Sequence, residues 1–145
     1  MLVIVVGVDG SAAGAAALAA AARLSAATGC DVVAVHVTSV PAAVHATLAP
    51  LVSGAAATAN DELADRCHLE CELALAGTGV AWTFELRHGD PATQLTRAAD
   101  EHDAACVVVG RDGHRVLARL RLGSVTDRLV HHASCPVLVV PPTDP

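Results

Sequence analysis

At 145 residues, 53% of them hydrophobic, the chain has the length of one domain and ample apolar material for one core. With one Trp, one Phe and no Tyr, that core is expected to be tight and aliphatic. A net charge of −6 argues against nonspecific binding to nucleic acid or anionic membranes.

Residues 2–8 form a β-branched run closed by Asp9-Gly10, the pattern of a strand buried on both faces. Ser11 can cap the alanine-rich helix over 12–28, and Gly29 stops it. Val32, Val33, Val35 and Val37 make residues 31–38 a second buried strand, so a parallel strand-helix-strand unit is complete by residue 38. Residues 41–54, with two prolines and no clear period, read as a surface connection to a helix over 55–76. The Gly77-Thr78-Gly79 turn leads into a strand over 80–87. There Trp82, Phe84 and Leu86 alternate with Thr83 and Glu85, which predicts one exposed face and an edge position.

Asp90 caps and Pro91 opens a helix carrying Leu95, Ala98, Ala99 and His102. Residues 104–109 form a fourth strand, 110–123 a long loop, 124–132 a helix and 136–140 a fifth strand. This alternation, with right-handed crossovers, predicts a doubly wound, Rossmann-like α/β fold: a five-stranded parallel sheet with helices on both faces.

Asp9 and Arg23 interrupt the apolar stretches before either reaches the roughly 18 residues that cross a bilayer. The first residues carry no basic segment, so no signal peptide is read and a cytoplasmic location is expected. Five irregularly spaced cysteines in a chain with a large core are expected as reduced, buried thiols. Cys67-His68 with Cys71 comes nearest to a metal pattern. A helix, however, sets both thiols beside Leu63 and Leu75, with no second ligand pair near, and no metal is expected.

The chemistry concentrates between residues 110 and 124. Gly110 follows a buried strand, where a missing side chain lets a ligand approach backbone, and Gly113 permits the positive φ of a tight turn. Gly123 and Ser124 open a helix whose first-turn N–H groups and dipole form an anion site. Arg111, Arg115, Arg119 and Arg121 put four of the nine basic residues here, against one acid, Asp112. Loops this long are usually functional, although glycines after strands and before helices are also common turn residues. Two uses compete for Ser124: donating to phosphate, or completing a local cap with Asp127.

Rival motifs are missing. Without any lysine there is no Gly-x4-Gly-Lys phosphate loop, and the first strand ends without the three glycines of a dinucleotide site. Ser124 is followed by Val125-Thr126, not by the glycine of a hydrolase nucleophile motif. The eight histidines are scattered, and His131-His132 sit where cations complement a helix end. Phosphoryl transfer needs an aligned nucleophile and metal-holding carboxylates, for which Asp112 is the one local candidate. Binding is therefore expected, with no catalytic residue and at most slow hydrolysis or self-phosphorylation.

Gly110, two residues, Gly113, nine residues, then Gly123-Ser124 is a specific spacing. With Asp9-Gly10-Ser11, His36-Val37, Gly89-Asp90-Pro91-Ala92 and the run from Cys135 to Val140, it resembles the universal stress protein family, in particular its ATP-binding branch, over nearly the whole chain. The resemblance implies one nucleotide-binding domain over 1–145, sheet order 3-2-1-4-5, and ATP, with or without magnesium, as ligand. By that likeness Asp9 contacts ribose, the Val37 backbone contacts adenine, and Gly110 lies against the sugar. Gly113, Gly123, Ser124 and the Val125 amide hold the triphosphate, and Arg111 joins them on grounds of charge.

The same likeness implies a homodimer through the edge strand Pro136 to Val140, whose apolar edge would otherwise be an open pairing site. Asp9 and Gly110 fall at the carboxyl ends of strands one and four, where ligands of such sheets bind, and a ribose diol suits an Asp acceptor. A plain turn role beside Gly10 is the alternative for Asp9. The function expected is a nucleotide-dependent stress-response sensor or switch, acting on a protein partner the sequence does not name. The alternatives are a nucleotide-independent dimerisation or interaction module and a weak ATPase or autophosphorylating protein.

Overall fold

Strands rich in Val and Ile with no polar interruption must bury both sides, and this chain does so with a parallel sheet covered on each face. The computed structural model describes residues 1–38, 55–111 and 123–143. In chain order the elements are β1 (Val3–Gly7), α1 (Ala12–Thr28), β2 (Asp31–Thr38), α2 (Ala55–Leu75), β3 (Trp82–His88), α3 (Pro91–Glu101), β4 (Cys106–Gly110), α4 (Ser124–His132) and β5 (Val137–Val140). The sheet order is β3-β2-β1-β4-β5 with every pairing parallel, as the sequence pattern and the resemblance predict. The expected connection over 41–54 and the loop residues Asp112, Gly113, Arg115, Arg119 and Arg121 lie outside the described residues.

Alternation along the strands feeds two cores. Ile4, Val6, Val32, Ala34 and Val108 point to the face covered by α1 and α2, where Leu18, Cys67 and Cys71 meet them. Val5, Val33, Val35, Val107 and Val109 point to the other face, under Leu95 of α3 and Leu129 of α4. Fully burying an aliphatic side chain contributes about 1.5–3 kcal/mol, so the central strands β1, β2 and β4 supply most of the driving force.

Caps set the helix ends as expected. The Ser11 hydroxyl accepts the Gly14 N–H at 3.0 Å, and Gly29, at φ +77°, donates its N–H to the Ser25 carbonyl at 2.8 Å. Asp90 accepts the Thr93 N–H at 2.9 Å, with Pro91 in the first turn. Strand three differs from expectation at both ends. Its ladder starts at Trp82, because the Val32 N–H reaches the Ala81 carbonyl at 3.0 Å and Val80 only packs against the core. Its charge pattern differs as well. Glu85 is half-buried, bonded to His102 Nε2 at 2.5 Å and Arg87 Nε at 3.0 Å, whereas Leu86 stays 43% exposed.

Among the described residues no helix is long and apolar enough to cross a membrane. What the fold delivers to function is the reversal between β1 and β4. Their following helices, α1 and α4, lie on opposite faces, so a crevice opens at the carboxyl ends of these two strands.

Candidate functional site

That crevice is a cleft bounded by Asp9 and Ala13 at the start of α1, Val37 from β2, Gly110 from β4, and Gly123, Val125 and Thr126 around the start of α4. Pro91 and Leu95 of α3 close one side. The fold therefore brings Asp9, Val37, Gly110, Gly123 and Val125 to one place from four separate stretches of chain. Ser124 is the first residue of α4 between two of them. Arg111 directly follows Gly110, and Gly113 lies outside the described residues.

Asp9 has a structural task. Its Oδ1 accepts the Ser11 N–H at 3.0 Å and the Ser11 hydroxyl at 2.5 Å, and Ser11 in turn caps α1 through Gly14. Gly14 makes room for this: a Cβ there would lie 2.6 Å from Asp9 Oδ1 and 3.2 Å from the Asp9 amide nitrogen. The turn role and a ligand role are compatible, because the bonds use Oδ1 and none is made by Oδ2 among the described residues. Behind the turn, the buried His36 imidazole donates from Nδ1 to the Val8 carbonyl at 2.8 Å, which fixes its tautomer and ties the end of β1 to β2.

Gly110 has a packing reason to be glycine beside the one its position implies. A Cβ on it would meet the Ala13 carbonyl oxygen at 2.2 Å and carbonyl carbon at 2.4 Å. The missing side chain lets the alanine-rich α1 settle onto β4, before any ligand is considered.

The start of α4 is the least satisfied part of the cleft. Gly123 is its N-cap at φ +90°, a conformation that L side chains rarely adopt, and no side chain caps the helix. The Asp127 N–H goes to the Gly123 carbonyl at 2.9 Å, so the local cap that Ser124 and Asp127 invite is not formed. The first-turn N–H groups, which have no acceptor within the helix, carry partial positive charge toward the cleft. Nearby, the Arg111 N–H extends the β4–β5 ladder to the Val140 carbonyl at 2.7 Å, while its Nε is buried without a hydrogen-bond partner among the described residues.

Thr126 was not legible in the sequence as a site residue. It is 3% exposed, lines the cleft, and donates its hydroxyl to the Gly110 carbonyl at 3.2 Å. Its partner is sixteen residues back along the chain, so only a preference for Ser or Thr near a helix start hinted at it. Among the described residues no group of three His, Cys, Asp or Glu side chains could hold a metal ion.

A doubly wound parallel sheet, with a carboxylate and an uncapped helix start lining the crevice at its switch point, places the chain in the class of small Rossmann-like α/β proteins. Within that class the chain belongs to the universal stress protein family, whose model matches residues 1–141. It is 40% identical over 62 residues to the universal stress protein Sll1388 of Synechocystis sp.. That stretch spans 43% of this chain and 40% of the relative's length. A universal stress protein from Archaeoglobus fulgidus, solved in complex with dAMP, has the same fold at a TM-score of 0.72 and 22% identity, covering 97% of this chain and 98% of that one. A universal stress protein solved in complex with cAMP aligns at 0.68 and 24%, covering 98% of each chain.

Proposed function

We propose that this protein binds an adenine nucleotide, ATP in the first place, in the β1–β4 cleft and acts as a nucleotide-dependent sensor or switch. The observation that carries the reading is the start of α4. The side chains of Ser11 and Asp90 cap α1 and α3, whereas the α4 start facing the cleft has none. Its free N–H groups suit phosphate, and Asp9 across the cleft suits a ribose diol. The Arg111 Nε, buried without a hydrogen-bond partner among the described residues, supports the same charge assignment, since a buried polar atom left unpaired is costly. Two proteins of like fold were solved with adenine nucleotides, dAMP and cAMP.

Adenine would rest on aliphatic groups such as Val37, for the cleft offers no aromatic ring among the described residues. Asp9 is the one carboxylate lining it there, and its Oδ1 is engaged with Ser11, so no base stands positioned for rapid hydrolysis among the described residues, which do not include Asp112. Binding rather than turnover is the activity this favours, with a second copy expected along the β5 edge.

Calorimetric titration with ATP tests the reading, using wild type, Ser124→Ala and Gly123→Val. Loss of one hydrogen bond to a charged group weakens binding about tenfold or more, so both variants are expected to bind at least about tenfold less tightly. No binding by the wild type, or equal binding by all three, would overturn it.

A further inference from the structure

We propose that Thr126 is a positioning residue for the phosphate end of this site: its hydroxyl ties the start of α4 to the end of β4 and so fixes where the α4 amides stand. The proposal rests on the nucleotide reading and deepens it. Within a helix a threonine hydroxyl ordinarily turns back to the carbonyl one turn earlier. Thr126 is the third residue of α4, so that turn lies outside the helix, and the hydroxyl donates across the cleft to Gly110 at 3.2 Å.

The apolar residues Val125 and Leu129 of α4 join the core cluster that holds Val107 and Val109 of the sheet. Such packing holds a helix down but sets its position along the sheet only loosely, because it has no direction. The hydrogen bond from Thr126, itself 3% exposed, supplies the direction. It also joins the two ends of the loop, since Gly110 precedes residues 111–122 and Gly123 follows them. Thr126 thus acts through the Ser124 and Val125 amides rather than by touching the nucleoside, whose proposed contacts are Asp9 after β1, Val37 in β2 and Gly110, which the β4–β5 ladder holds in place.

The consequence is selective. Losing the Thr126 hydroxyl leaves the Gly110 carbonyl without that donor and lets α4 shift, which weakens phosphate contacts and spares the nucleoside contacts. Titrations of wild type, Thr126→Val, Thr126→Ala and Thr126→Ser with ATP and separately with adenosine distinguish this from general loosening. The nonpolar variants are expected to lose about tenfold in ATP affinity and less than about twofold in adenosine affinity, with Ser restoring ATP binding to within about twofold. Circular dichroism confirms folding, and Ala carries the test if Val does not fold.

ATP affinity unchanged in the nonpolar variants, equal losses for ATP and adenosine, or failure of Ser to rescue would each overturn the proposal while leaving the nucleotide reading intact. A wild type that binds neither ligand overturns both.

Discussion

Replacing Gly110 by Ala separates two reasons for a glycine at the end of a buried strand. If it served the ligand alone, the variant would fold as well as wild type and lose only binding. The structure assigns the space to α1 instead: the added Cβ would lie 2.2 Å from the Ala13 carbonyl oxygen, 2.4 Å from its carbon and 2.8 Å from its Cβ. Both carbonyl atoms are backbone, so no side-chain rotation relieves the overlap, and strand and helix must part by about 1 Å to reach ordinary contact. Overpacking of this kind costs about 1–3 kcal/mol, and a backbone obstacle places it near 3.

At about 2–4 °C per kcal/mol for a chain of this size, Tm should fall by about 6–12 °C without nucleotide. Thermal unfolding followed by circular dichroism reads this directly. Gly29→Ala is the control: its φ is +77° with nothing within 4 Å of the added Cβ, so it loses only the left-handed backbone preference, about 1–2 kcal/mol. A Gly110→Ala Tm within about 1 °C of wild type would refute the packing argument and return this glycine to the ligand.

Two further outcomes follow from the ionisable groups. Asp90 accepts the Arg128 guanidinium at 2.6 Å and Thr93 through both its N–H and its hydroxyl, and these bonds, Arg128 first, hold its carboxyl well below the usual 3.8. A lowered folded-state value contributes stability that is present above the ordinary carboxylate range and is lost as pH falls below it. The Tm gap between wild type and Asp90→Ala, about 1 kcal/mol of capping, should therefore be widest at neutral pH and narrow toward about pH 2. A gap that stays constant would show that the ionised carboxylate does not hold the start of α3. In the second case, burial pushes the Cys67 thiol up to about 11 and the Cys71 thiol to about 12. Alkylation at about pH 8 followed by mass spectrometry should label the half-buried Cys106 and Cys135 first, and Cys67 and Cys71 only after unfolding. Native labelling of Cys67 or Cys71 at the rate of the other two would contradict their place in the core.

The fold was open to reading because its signals are local. Valine runs closed by Asp9-Gly10, caps at Ser11 and Asp90, and the stop at Gly29 depend on neighbours a few residues away, and each stands where its chemistry puts it. Strand three was read less well. Its alternation predicts an exposed Glu85, but His102 and Arg87 draw that carboxylate onto the sheet. The bond to Arg87 runs along the same strand, but the one to His102 reaches seventeen residues on, to the end of α3, and leaves no trace in a pattern of period two.

The candidate site divides along the same line. The sequence by itself determined that Gly110, Gly123 and Ser124 follow and precede regular elements, and that Asp9 ends a strand, because these are properties of adjacent residues. No local pattern decides that β1 and β4 are neighbours, a pairing that the family resemblance implied and the tertiary structure shows, and it brings Asp9 and the α4 start into one cleft. The same structure decided that Gly110 is glycine because Ala13 presses on it, that Ser124 does not cap its own helix, and that Thr126 reaches back to Gly110. Each of these is a contact between segments separated by a crossover. Excluded volume and hydrogen-bond direction act through space, so they take a definite partner only once the sheet has chosen its order.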